Sequence, residues 1–358
     1  MSILSVAPLT RSEGPLDMTA PAPPEERGLA RDEVRLLVAT EEGLTHATFR
    51  DLPAFLKPGD LVVVNNSATV AAQLDAVLLG RGPVVVHAAT HLDDGTWLVE
   101  LRTSPAADRP ILDALPGDRL ELPATGQLTL LGPYRRTGAS PTGEGNRLWH
   151  AALSGPTPLE QQLARHGRPI AYGYLDGGYP LASYQTVFAA CPGSAEMPSA
   201  GRPFSHELVT RLVAREIGVA TVTLHAGVSS QEAGETPLPE RFAVSALTAR
   251  LVNATRAEGG RVIAVGTTVT RALESAAGPD AMVVGRRGWT ERVVTRHDPP
   301  RVVDGLVTGW HDPKASHLLL VEAVAGPALA QRAYDEARIA GYLWHEFGDS
   351  ALFLPPRQ

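Results

Sequence analysis

The residues of this chain that could do chemistry gather at short turns following apolar strands. The run Arg261-Val262-Ile263-Ala264-Val265-Gly266-Thr267-Thr268 reads as a buried strand, a Gly-Thr-Thr turn, and then a helical pattern through Ser275. The apolar, partly β-branched residues 262–265 suit a strand covered on both faces. Gly266 permits a tight turn and close backbone approach. Thr267 or Thr268 suits the helix cap. A helix N-terminus reached this way offers free N–H groups and the positive end of the helix dipole, which is chemistry for an anion or carboxylate. Arg271 and Glu274 follow at helical spacing, near that mouth. An ordinary strand–loop–helix crossover reads the same way. Neither a P-loop nor a G-x-G-x-x-G run accompanies the turn, so the usual nucleotide folds are not supported.

Other polar residues stand at comparable places. His225 follows the apolar run 219–224, which suits either acid–base work in a crevice or a core imidazole bonded to backbone. Glu240, in Pro239-Glu240-Arg241-Phe242, suits an acid or base, a ribose-hydroxyl acceptor, or a surface charge. His311 is a candidate catalytic group, and Lys314 suits a carboxylate or phosphate. Ser316 suits the cap of the apolar stretch 318–324, so the same segment also reads as a loop-to-helix junction. Asn65 and Asn66 suit hydrogen bonding to a base or ribose, or an Asx-turn. Asp349 follows Gly348 in a turn near the C-terminus.

The elements that must position these groups fall into two patterns. Residues 34–65 read as strand 35–39, short helix 51–56 and strand 60–64. From about 67 to 153 short strands alternate with turns, at 76–79, 83–88, 96–101, 119–122, 127–131 and 147–152, as in a small barrel or sandwich. From about 154 onward, helices at 159–166, 206–217, 245–258, 268–276 and 327–340 alternate with strands at 219–224, 261–265 and 281–284. The expected architecture is an α/β main domain (residues 31–66 and 154–358) with an inserted all-β, barrel-like domain at 67–153. Residues 1–30 read as a Pro-rich, poorly ordered lead-in.

A chain of 358 residues, 44% hydrophobic and 20% charged, can bury a sizeable core. No stretch approaches the length of a membrane span and no signal peptide is apparent, so a cytoplasmic protein is expected. The single cysteine, Cys191, excludes an internal disulfide framework, and the 11 histidines show no metal-ligand spacing, so no metal is expected. The net charge of −7 gives no support for a nucleic-acid partner.

Several segments, in order, resemble the S-adenosylmethionine:tRNA ribosyltransferase-isomerase family of queuosine biosynthesis. They are Arg31-Asp32-Glu33-Val34-Arg35-Leu36-Leu37, Pro58-Gly59-Asp60-Leu61 through Asn65-Asn66-Ser67, Tyr184-Gln185-Thr186-Val187-Phe188 and Val222-Thr223-Leu224-His225-Ala226-Gly227. The strand–turn–helix at Gly266, the stretch from Asp304 to Lys314, and Phe347-Gly348-Asp349-Ser350-Ala351 continue the series. Pro198-Ser199-Ala200-Gly201 resembles a further family segment, keeping a hydroxyl at Ser199 and the bend at Gly201.

The resemblance implies a β-barrel inserted in an α/β body, with S-adenosylmethionine as substrate. It further implies transfer of the ribosyl part to the aminomethyl group of preQ1 in tRNA and rearrangement to epoxyqueuosine. Adenine and methionine then leave, and no metal takes part. It implies His225, Glu240 and His311 as catalytic residues. Arg35, Asn65, Asn66, Ser199, Gly201, Gly266, Thr267, Thr268, Arg271, Glu274, Lys314 and Asp349 are the implied substrate-binding residues.

The chain departs from the family at polar positions. Ala68 and Gln73 stand where the family has arginines, and Pro203 and Leu238 where it has histidines. Such losses leave open the family reaction, an S-adenosylmethionine-dependent reaction on a small acceptor, or a silent adenosyl-ligand binder.

Overall fold

The structure, a computed structural model, describes residues 6–11, 18–123, 125–134, 145–229, 237–311 and 317–356. The chain begins with β1 (Arg35–Thr40), β2 (Leu44–Thr48), β3 (Leu61–Asn65) and the short β4 (Ser67–Thr69). It then makes β5 (Gln73–Leu78), β6 (Gly82–His91), β7 (Trp97–Thr103), β8 (Arg119–Glu121), β9 (Gln127–Pro133) and β10 (Leu148–Ser154). After α1 (Leu159–His166) come β11 (Cys191–Ser194), α2 (His206–Ala214), β12 (Gly218–Leu224), β13 (Glu240–Val244) and α3 (Ala246–Ala257). The last third holds β14 (Val262–Val265), α4 (Thr267–Ala276), β15 (Arg286–Thr290) and β16 (Gly305–Gly309), then α5 (His317–Ala325), α6 (Pro327–Ile339) and β17 (Ser350–Leu354).

The body is a nine-stranded mixed sheet in the order β15-β13-β12-β3-β14-β16-β17-β1-β2. Its centre, β12-β3-β14-β16, is parallel. β17 runs against β16 and alongside β1. Alternation along the strands explains why these runs read as continuously apolar. Leu61, Val63, Val262 and Ala264 face the core covered by α3 to α6. Val62, Val64, Ile263 and Val265 face the opposite core, covered by α2 and the 3-10 helix Phe49–Ala54. Ser205 and Ser245 cap α2 and α3 by accepting from Leu208 N and Thr248 N.

β5 to β10 close into a six-stranded antiparallel barrel, ordered β10-β7-β6-β5-β8-β9. Leu74, Val86, Val99, Leu101, Leu128 and Trp149 fill it, and Leu159 and Leu163 of α1 join the same core. Where the barrel meets the body, Glu100 is buried among cations. It accepts from Arg102 Nη1 at 2.5 Å, pairs with Arg147 Nη1 at 3.1 Å and lies 3.6 Å from His87 Nδ1. His87 Nε2 in turn meets Gln73 Oε1 at 3.1 Å.

Three features differ from the sequence reading. Within the expected lead-in, residues 18–30 pack on the body. Ala20 N donates to Trp344 O, Trp344 N donates to Met18 O, and Glu25 on the 3-10 helix Pro24–Arg27 takes both Nη groups of Arg202 at 2.8 Å. The expected strand at 281–284 is a loop with one bridge, from Ala277 to Val283. Its backbone is satisfied by a side chain instead, because Val283 N donates to Asn253 Oδ1 and Val283 O accepts from Asn253 Nδ2. Glu240 is buried at the first position of β13, which removes its reading as a surface charge. Among the described residues, no helix is long and apolar enough to cross a membrane.

Candidate active site

A cavity of about 620 Å³ opens beyond the C-terminal ends of β12, β14 and β16, where the barrel meets the sheet. Crevices at the carboxyl ends of parallel strands are the usual ligand sites of such sheets, and the volume suits a cofactor-sized molecule. The sheet supplies residues 226–229, 265–268 and 308–311. The barrel side supplies Arg102 and Asp108, and the segments 172–174 and 196–200 complete the wall.

The Gly-Thr-Thr turn forms part of that wall. Gly266 has φ 94° and ψ 160°, a region open essentially to glycine. Gly266, not a threonine, is the N-cap of α4, and no side chain caps it; Thr267 is already helical. The first turn of α4 therefore meets the cavity without a capping side chain, which leaves its positive end for an anion. Gly266→Ala is expected to lower stability by about 1–3 kcal/mol from backbone strain. The new Cβ would also stand 3.2 Å from Ala200 Cβ. Thermal melts and ligand titration of the purified variant check this, with weaker binding the expected companion.

Arg271 and Glu240 form a buried ion pair beside this turn. Arg271 also donates to the carbonyls of Arg292, Leu238 and Thr290 at 3.0, 3.3 and 3.3 Å. Its guanidinium is thus committed to protein groups and ties β13 to β15. Glu240 Oε1 accepts from Gly227 N at 3.3 Å. Burial pushes the Glu240 carboxyl above its ordinary range, against the downward pull of Arg271.

His311 stacks on His317, with ring centroids 4.5 Å apart and planes 12° apart, and its Nε2 meets Thr308 Oγ1 at 3.0 Å. Burial, together with His317 and His345 nearby, holds His311 well below 6.5. Burial, with Arg271 nearby, brings His317 down to about 4. Both rings are neutral at pH 7.

Of the residues expected from sequence, the cavity brings together Ser199, Gly266, Thr267, Thr268, Glu240, Arg271 and His311. The others among the described residues lie outside its wall and serve backbone or neighbours. His225 Nδ1 pairs with Ser67 Oγ at 2.7 Å and packs over Gly193, where a Cβ would come within 2.6 Å of Nδ1. Burial and Arg241 lower its pKa. Asn65 Oδ1 accepts from Ser67 N and Leu224 N while its Nδ2 donates to Leu224 O, joining β3 to β12. Asn66 Oδ1 accepts from Thr223 Oγ1.

Glu274 accepts from the backbone N–H groups of Arg301, Val302 and Val303. Asp349 accepts from Arg35 N and Leu343 N, and Arg35 donates to Ala340 O with its guanidinium 3.8 Å above the Tyr342 ring. Gly201 bends the 3-10 helix Ser199–Gly201 against Thr186. Lys314 lies outside the described residues.

Sequence reasoning missed Tyr172, Tyr174, Glu196, His317, His345 and Glu346, all in the cavity wall. Their only sequence signal is nearness to recognised segments, such as Glu346 two residues before Gly348-Asp349. Tyr172 OH donates to Glu196, which also accepts from Ser229 N and Oγ. Tyr174 OH donates to Glu346 Oε2 at 2.8 Å. The substituted positions also have defined settings. Leu238 lines the cavity. Gln73 accepts from Ala171 N and belongs to the barrel–body joint. Ala68 pairs with Pro192 between β4 and β11.

Residues 13–353 match the family model described as queuosine biosynthesis protein. The chain is 36% identical to the S-adenosylmethionine:tRNA ribosyltransferase-isomerase of Bradyrhizobium sp. strain BTAi1, over 93% of this chain and 94% of that one. It is 36% identical to the protein of the same name from Acidiphilium cryptum strain JF-5, over 92% and 96%. The crystal structure of S-adenosylmethionine tRNA ribosyltransferase from Thermotoga maritima superposes with a TM-score of 0.51 at 26% identity, covering 96% of this chain and 99% of that one. A match spanning nearly the whole chain, on a body with an inserted barrel, places it within one family: the chain belongs to the queuosine biosynthesis proteins.

Proposed function

We propose that the protein is an S-adenosylmethionine:tRNA ribosyltransferase-isomerase, acting in the cytoplasm on preQ1-bearing tRNA. The observation that carries this reading is 36% identity to enzymes of that name over more than nine-tenths of the chain. The cavity agrees with it chemically. The methionine carboxylate belongs at the uncapped start of α4, where N–H groups and the helix dipole favour negative charge. Thr268 and Ser199 offer hydroxyls from the same wall. Glu240, held by Arg271 and Gly227 N, offers acceptors to the ribose hydroxyls.

The sulfonium acidifies the adjoining ribose carbon, so a base in the cavity starts the transfer. His311, kept as free imidazole by burial, takes that part. Arg271 and Asn65 act through other groups, by holding Glu240 and the ends of β3 and β12.

Mass spectrometry of the products from purified protein, S-adenosylmethionine and preQ1-tRNA tests the reading. Controls lack preQ1 or enzyme. Adenine, methionine and an epoxyqueuosine nucleoside are the expected products. Unchanged tRNA with S-adenosylmethionine consumed would assign the enzyme to another acceptor.

A further inference from the structure

We infer that Glu346 is the proton donor that meets the adenine of the substrate, with the stacked rings of Tyr174 and His345 forming the base end of the cavity. This inference rests on the ribosyl-transfer reading. The geometry has three parts. Glu346, Tyr174 and His345 all line the cavity. The Tyr174 and His345 rings stack with centroids 4.7 Å apart and planes 17° apart, and Tyr172 extends the stack at 6.0 Å, giving an aromatic column whose end can stack a planar base. Tyr174 OH occupies Glu346 Oε2, whereas Oε1 is buried with no hydrogen-bond partner among the described residues. A buried oxygen without a partner among the described residues leaves a hydrogen-bonding position open to a ligand group.

The charge state fits. Burial, helped by the negative charge of Glu196, pushes Glu346 up to about 8, against the Tyr174 hydrogen bond. Among the described residues, Tyr174 and Tyr184, both raised, also feel its charge, and His345 precedes it in the chain and lines the same cavity. At pH 7 Glu346 is therefore a neutral acid. With Oε2 accepting from Tyr174, its proton rests on Oε1, where none of the described residues accepts it. Adenine offers ring-nitrogen acceptors that match such a donor. As adenine departs, its bond to the ribose carbon breaks and the electron pair passes to the base. The proton moves from Glu346 Oε1 to a ring nitrogen of adenine. Glu346 is left as a carboxylate and regains a proton from solvent before the next turnover.

The test compares wild type, Glu346→Gln and Tyr174→Phe, reading kcat for adenine release against pH with S-adenosylmethionine and preQ1-tRNA. S-Adenosylmethionine affinity is measured separately by calorimetry. Wild-type kcat is expected to fall above about pH 8. Glu346→Gln keeps a hydrogen-bond donor but no transferable proton, so kcat is expected to drop by about 10²-fold or more. Binding should be near wild type and the alkaline limb gone. Tyr174→Phe removes a bond that lowers the Glu346 pKa, so its alkaline limb is expected to move to higher pH. A Glu346→Gln enzyme that binds substrate and keeps wild-type kcat with an unchanged alkaline limb would overturn the inference. So would a Tyr174→Phe limb that stays in place. Absence of adenine release by the wild type would instead mark failure of the ribosyl-transfer reading.

Discussion

Arg271→Met is expected to destabilise the folded protein by about 3–5 kcal/mol, the range for removing one partner of a buried ion pair. The size follows from where the guanidinium sits. Arg271 is buried, pairs with buried Glu240, and satisfies the carbonyls of Leu238, Thr290 and Arg292. Removing it leaves a carboxylate and three carbonyls without that donor in a place water reaches poorly. Glu240 then takes up a proton more readily, because the Arg271 cation is what opposes the effect of burial on its carboxyl. Urea unfolding of Arg271→Met, Glu240→Gln and the double variant checks this. The double variant should be more stable than Arg271→Met alone, since neutralising Glu240 removes the orphaned charge. Additive losses would mean that the two side chains act separately.

The second large effect lies in the barrel. Glu100 is completely buried and its carboxyl is lowered to about 2, because Arg147, His87 and Arg102 together outweigh the cost of burial. A carboxyl lowered from 4.5 to about 2 on folding contributes about 3 kcal/mol. The unfolded chain binds the proton first as pH falls, so this contribution is complete above about pH 4.5 and is lost between there and about pH 2. Glu100→Gln is expected to remove that acid-dependent component. It is also expected to destabilise the protein at pH 7 by about 3–5 kcal/mol, since two buried arginines lose their counter-charge. Unfolding free energies measured from pH 7 to pH 3 for both proteins should converge as the pH falls.

Much of the fold was legible because its strands and helices carry strong periodic signals. The helix expected at 159–166 matches Leu159–His166, and the strands expected at 83–88 and 127–131 fall within β6 and β9 of the barrel. β13 and β15 were not legible. Arg286-Arg287-Gly288-Trp289-Thr290 is polar and mostly exposed, and is a strand because β13 lies beside it.

The site divides along a similar line. Gly266 could be read because its backbone conformation demands glycine. Arg35, Asp349 and Glu274 read as ligand-binding because they stand in segments that resemble the family, and a charge that holds backbone looks the same in a sequence as one that holds a ligand. Only the structure shows their bonds going to backbone groups. Tyr174, His345 and Glu346 were invisible for the opposite reason. About 170 residues separate Tyr174 from Glu346, and no local spacing signals a contact made at that range.

The strand order also fixes when the body can be completed during synthesis. β1 is among the first elements made, yet it lies beside β17, with Leu36 to Thr40 paired to Ser350 to Leu354. β3 is followed by the whole barrel before its flanking partners β12 and β14 are made. The barrel finds every strand it needs between Gln73 and Ser154. On a growing chain the inserted module can therefore close while the sheet that hosts it still has open edges. Both edges of β3 stay open until β12 and β14 emerge, and the edge of β1 away from β2 stays open until β17 does; such apolar edges are the sort that chaperones hold.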